Sequence, residues 1–167
     1  MQKLSRSLAE NLAALDALFG ASADYYAKEI AIYHCKGAIV LFDGMWELLL
    51  DAASRQAPPN RSDAQPLTGQ EAYALILHGS AFPAESSPVQ DMPDLVKRLT
   101  AGMAGLLLDG CAEGIAFSVQ GLKYRSVEEP SGEGNLRGSR EGFADLLRVN
   151  LSLLRRLIRT PDLVQET

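Results

Sequence analysis

The chain of 167 residues has only two histidines, two cysteines and one tryptophan, and these scarcities exclude much. With Cys35 and Cys111 alone there is no disulfide framework, and reduced thiols in a cytosolic compartment are the economical reading. Neither His34 nor His78 has a Cys or His partner at metal-ligand spacing, so no zinc site is expected. Both histidines read as satisfied or surface residues, and both cysteines as small packing residues. Two histidines supply no nucleophile–base–orienter set, and the adjacent Glu128 and Glu129 point apart in extended chain. The chain therefore reads as a non-enzyme with no cofactor.

Charge of one sign is also short. Sixteen Lys and Arg against 21 Asp and Glu leave a net charge of −5, the reverse of a dedicated nucleic-acid binder. No apolar run approaches the ~18 residues of a membrane span, and the opening MQKLS lacks the apolar stretch of a signal peptide. There is no G-x-x-x-x-G-K-[ST] loop. Gly132, Gly134 and Gly138 are spaced G-x-G-x-x-x-G, and Glu128, Glu129 and Glu133 would repel a pyrophosphate.

What is present is a globular composition, 47% hydrophobic and 22% charged, enough for one ordinary domain or two small ones. Leu4, Leu8, Leu12, Leu15 and Leu18 recur at helical spacing, Ser7 with Glu10 has capping-box spacing, and Gly20 suits a helix end. Residues 28–35 (KEIAIYHC) and 38–42 (AIVLF) read as strands joined by a tight turn at Lys36-Gly37, and 45–55 as a helix. The segment QAPPNRSDAQP reads as a linker. Residues 70–77 suit a short helix, and the proline-bearing 81–92 is irregular with one extended stretch. In the second half, 91–101 reads as a helix with Pro93 in its first turn, and 105–108 and 114–120 as strands around DGCAEG. Helix, hairpin, helix thus occurs twice. The expected class is α/β, with two small subdomains, 1–57 and 68–167, each a short sheet or hairpin packed with helices, joined by a Pro-rich linker at 58–67.

The final helix, from about residue 140 to 159, carries the most information. At about 100° per residue, Phe143, Leu146, Leu147, Leu151, Leu154, Leu157 and Ile158 form one apolar face. Arg148, Arg155 and Arg159 line the opposite, exposed face with Ser152 and Glu141. Asn150 falls within the apolar face, where its carboxamide needs buried partners, and Arg137 before the helix suits a carboxylate lock on the loop. Arg137 and Asn150, rather than the terminal arginines, are expected to hold the domain.

In order, Arg125, Glu129-Pro130, Glu133, Arg137-Gly138, Glu141-Gly142-Phe143, Asn150 and Leu153-Leu154-Arg155-Arg156 resemble the signature of the GerA family. The stretch LLLDGCAEGIAFSV is similar to that family's strand, Asp-Gly, strand element, while Ala21-Ser22-Ala23-Asp24 is only loosely similar to its N-terminal part. Ser139 stands where proline is frequent, and Leu157 where a third arginine is frequent. The resemblance implies the soluble N-terminal domain of a spore germinant receptor A subunit, two α/β subdomains preceding transmembrane helices. It further implies a spore inner-membrane location with this domain on the cytoplasmic (spore core) side, touching the membrane only through the C-terminal part of the full protein. The implied partners are a permease-like B subunit and a lipoprotein C subunit, with a homo-oligomer left open. The nutrient site would belong to the B subunit, and the A subunit would help convert nutrient detection into ion release. Two alternatives stay open: a stage V sporulation A-type subunit of ion and dipicolinate release, and a small-ligand sensor with its cleft between the subdomains.

Overall fold

The computed structural model describes residues 3–42, 67–78, 85–118 and 147–166. Among them the elements run α1 (Leu8–Phe19), β1 (Tyr25–Ile32), β2 (Cys35–Phe42), α2 (Gly69–His78), β3 (Ser86–Val89), α3 (Met92–Thr100), β4 (Ala104–Leu108), β5 (Gly114–Phe117) and α4 (Leu147–Ile158). The helix expected at 45–55 and the linker at 58–67, apart from Leu67, lie outside the described residues.

The class is mixed α/β, as expected. The strands form one antiparallel sheet in the order β1-β2-β4-β5-β3. The two hairpins read from the two halves lie side by side, with β2 paired to β4 from Gly37↔Leu108 to Val40↔Gly105. Alternation along the strands sorts the apolar residues between two faces. Val40, Leu107, Ala116 and Val89 join Leu8, Leu15 and Phe19 of α1 and Met92, Leu95 and Leu99 of α3 in one core. Leu106, Leu108, Ile115 and Phe117 join Ala72, Tyr73 and Ile76 of α2 in the other. Both faces are covered, which explains why β4 and β5 read as continuous apolar runs. At Gly105 an added Cβ would lie 2.9 Å from Leu95 Cδ1 and Val40 Cγ2, so the missing side chain lets α3 approach the sheet.

The helix starts follow from local chemistry. Asp91 Oδ1 accepts the Asp94 amide at 2.8 Å, with Pro93 in the first turn of α3. At α2, Thr68 and Glu71 form a full capping box, Thr68 N donating to Glu71 Oε2 at 2.9 Å and Glu71 N to Thr68 Oγ1 at 3.3 Å. At α1 the box is half-made: Glu10 N reaches Ser7 Oγ at 3.5 Å, while the Glu10 carboxylate accepts the Ser5 hydroxyl at 2.6 Å. Asp109, in the β4–β5 turn, completes that start by accepting the Leu8 amide at 3.1 Å. The same turn receives Gly110 N onto Arg6 O and Asp109 N onto Lys36 O, both at 2.8 Å.

The β1–β2 turn corrects the sequence reading. It falls at Tyr33-His34, not Lys36-Gly37, because Ile32 pairs with Cys35 and leaves a two-residue loop. Both loop residues have positive φ, 51° and 64°, the mirror-type turn whose twist suits a hairpin. Neither is Gly, Asn or Asp, so the usual turn signal is missing there. His34 consequently sits in a turn and not inside a strand. The sheet's edges differ as well. β3 is four residues long and carries Pro88, whereas β1 runs for eight residues, exposing Lys28 and Glu29. Replacing His34 by Gly removes a left-handed non-glycine residue, and should raise the unfolding midpoint in denaturant by the equivalent of about 0.5–1 kcal/mol. An unchanged or lower midpoint would contradict this turn.

Candidate functional site

On α4 the structure inverts one expectation. Arg155, assigned by periodicity to the exposed face, has 0% relative exposure, whereas Leu157 and Ile158 of the apolar face are 56% and 50% exposed. The helix docks through Leu153 and the Arg155 guanidinium instead. Arg155 Nε donates to Asp24 Oδ2 at 3.0 Å and Nη2 to Asp24 Oδ1 at 2.7 Å, a two-pronged carboxylate grip. Nη2 also reaches Ser22 Oγ at 3.0 Å, and Nη1 the Leu163 carbonyl at 2.7 Å. Four guanidinium N–H groups out of five are thereby used. The Ser22 hydroxyl donates to Asp24 Oδ1 and accepts the Gln165 amide at 3.0 Å. The guanidinium carbon lies 4.1 Å from the Phe42 ring centroid, in cation–π contact.

Three local features bring these groups together. α1 ends at Gly20, and the Ser22–Asp24 bend feeds β1, setting a hydroxyl and a carboxylate two residues apart. Phe42 lies across from Tyr25 at the end of β2, and the two rings pack with Phe19 at centroid separations of 5.1 to 6.1 Å. α4 stops at Arg159, whose φ of 48° and bond from its N to Arg155 O at 3.0 Å make a left-handed helix end without glycine. Pro161 follows, and the chain turns back so that Ala23 N donates to Gln165 O at 2.8 Å.

Buried, either charge alone would be costly; together, with four guanidinium N–H groups and both carboxylate oxygens bonded, they form a self-sufficient unit. Such a group is a tie rather than a reagent. It fastens the α1–β1 bend, the end of β2, the last helix and the segment after it.

Of the other motif residues, Asn150 and Arg156 lie half-buried on α4. Arg125, Glu129, Pro130, Glu133, Arg137, Gly138, Glu141, Gly142 and Phe143 lie outside the described residues. Asp24 and Ser22, the partners that matter most, were noted from sequence only as part of the loosely similar Ala21-Ser22-Ala23-Asp24 stretch, with no role assigned.

Two cysteines and two tyrosines are held toward their neutral forms. Burial first, then Asp109, pushes up the Cys35 thiol, and burial does the same for Cys111. Tyr73 is pushed up to about 12, chiefly by burial and then by Glu113. Tyr25, whose hydroxyl is buried, is raised by burial and by the charge of Asp16. None is thereby primed as a nucleophile at neutral pH. Among the described residues, no group of three or more His, Cys, Asp or Glu side chains converges as a metal site, and no helix is long and apolar enough to cross a membrane.

The family model for the Bacillus/Clostridium GerA spore germination protein matches residues 13–167. The chain belongs to the GerA family. It is 31% identical over 169 residues to spore germination protein KA of Bacillus subtilis (strain 168), covering 96% of this chain and 30% of that protein. It is 29% identical over 135 residues to stage V sporulation protein AF of the same organism, covering 79% of this chain and 25% of that one. This GerA-family chain thus spans a third or less of the length of these curated relatives. Its fold is similar to that of the crystal structure of the N-terminal domain of the A subunit of the Bacillus megaterium spore germinant receptor GerK3. The TM-score is 0.65 at 22% identity, covering 98% of this chain and 59% of that one.

Removing one partner of the buried pair orphans the other charge, so Arg155→Ala and Asp24→Ala should each cost about 3–5 kcal/mol in urea unfolding. The double variant should cost clearly less than their sum, and strict additivity would show that the two do not act as a pair. A second expectation concerns high pH. Folding holds Tyr73 protonated to about 12 from an ordinary value of 10.0, so its contribution is intact below the ordinary value and is lost as pH rises through the raised one. Melting temperature should therefore fall steeply over that window, and Tyr73→Phe should flatten the fall; an equal slope in both proteins would contradict it.

Proposed function

We propose that this chain is the soluble domain of a nutrient germinant receptor A subunit, acting in signal transduction and receptor assembly during spore germination. The observation that carries this reading is the family match over residues 13–167, together with 31% identity to a spore germination protein across nearly the whole chain. The likeness in fold to the N-terminal domain of a germinant receptor A subunit supports it. On this reading the domain lies on the cytoplasmic side of the spore inner membrane, and its partners are a permease-like B subunit and a lipoprotein C subunit. Arg155 and Asp24 supply the physical reason for a transmitting role: they bind the segment leaving the domain directly to its first helix and sheet. The motif residues from Arg125 to Arg156 then serve to hold the second half together or to meet a partner, without catalysis.

A stage V sporulation A-type role is the second reading, motivated by the similarity to stage V sporulation protein AF. Deleting the full-length gene separates the two. A receptor subunit predicts loss of the optical-density fall and of dipicolinate release for one class of nutrient, amino acids, sugars or nucleosides, with the other classes unaffected. The stage V role predicts slowed dipicolinate release whatever the nutrient. Spores that germinate normally on every nutrient, in a strain with no second copy of the gene, would contradict both.

A further inference from the structure

We propose that residues 159–166 form a latch that opens as a unit while the sheet stays folded, with Arg159 as its hinge and the Arg155 guanidinium as its catch. The segment buries little. Asp162, Val164 and Glu166 are exposed and Thr160, Pro161, Leu163 and Gln165 only half-buried, whereas every residue of β4 is buried. It is held mainly by polar bonds: Arg155 Nη1 to Leu163 O, Gln165 N to Ser22 Oγ, Ala23 N to Gln165 O, and a long bond of 3.4 Å from Gln165 Nε2 to Leu151 O. A segment so held opens at a smaller cost than β4 and β5, which bury their side chains on both faces.

Closure also carries two local penalties that opening removes. Arg159 occupies the left-handed region with φ 48°, which a non-glycine residue adopts only under constraint. Gln165 Oε1 is buried with no hydrogen-bond partner. Opening leaves the costly charge satisfied, because only the bond to the Leu163 carbonyl leaves the guanidinium. Its bonds to Asp24 and Ser22 stay within the folded body. The catch thus releases without orphaning a buried ion, and this separates local opening from global unfolding. Opening frees the Ala23 amide and one bond of the Ser22 hydroxyl. The α1–β1 bend therefore senses the state of the exit segment.

Hydrogen exchange resolved to single amides on the full chain tests this. The amides of Ala23 and Gln165 should exchange at least about tenfold faster than those of β4 and β5. Arg159→Gly and Arg159→Asn, which relieve the left-handed strain, should slow these two amides about threefold and leave the sheet unchanged. Arg155→Lys, which keeps the charge and loses the fork, should speed them. Exchange of Ala23 and Gln165 at the same rate as the sheet would overturn the latch. So would an Arg159→Gly variant in which the two amides are unmoved or faster.

Discussion

A buried guanidinium gripped by one carboxylate and laid on one aromatic ring is the interaction on which the rest of this structure depends. Arginine suits the place because its planar fork meets both oxygens of Asp24 while a third nitrogen reaches a backbone carbonyl. A lysine ammonium is a point charge and could not span those partners. One flat face, which carries no hydrogen-bond donor, then lies on the Phe42 ring. Phe42 in turn packs with Phe19 and Tyr25, and through them the ion pair is continuous with the core under α1.

A second tie stands in the β4–β5 turn. Asp109 and Gly110 collect the start of α1, the preceding segment at Arg6 and the backbone of Lys36. A Cβ on Gly69 would lie only 2.0 Å from Asp109 O, so α2 begins in backbone contact with the same turn. Both ties work in the same direction: polar groups from the later chain fix the first 42 residues. The apolar layers supply the driving force on both faces of the sheet, and these directional contacts select the arrangement.

Much of this was legible in the sequence where a periodic signal was strong. The leucine spacing of α1, the Asp91-Met-Pro start of α3 and the apolar runs of β4 and β5 each matched a local rule, and the α/β class followed. The β1–β2 turn was misplaced because Tyr33 and His34 adopt positive φ without glycine or asparagine, while Lys36-Gly37 offered a false signal inside β2. The Thr68–Glu71 capping box had its sequence signature, and α2 was rightly expected. Arg155 was misread for a deeper reason. Helical periodicity sorts residues by polarity, and it assigns an arginine to water unless its counter-ion is known. That counter-ion lies 131 residues away, and no local pattern joins the two positions.

This separation also bears on how the chain is made. Asp24 leaves the ribosome long before Arg155, and at about 5–20 residues per second a separation of 131 residues is a wait of about 7 to 26 seconds. During that time β1 and β2 can pair, since their turn is local, but Asp24 has no cation to receive it and must stay hydrated. Pairing of β1 with β2 sets Tyr25 opposite Phe42, so what waits for the last helix is the cation that neutralises Asp24 and covers a face of the Phe42 ring.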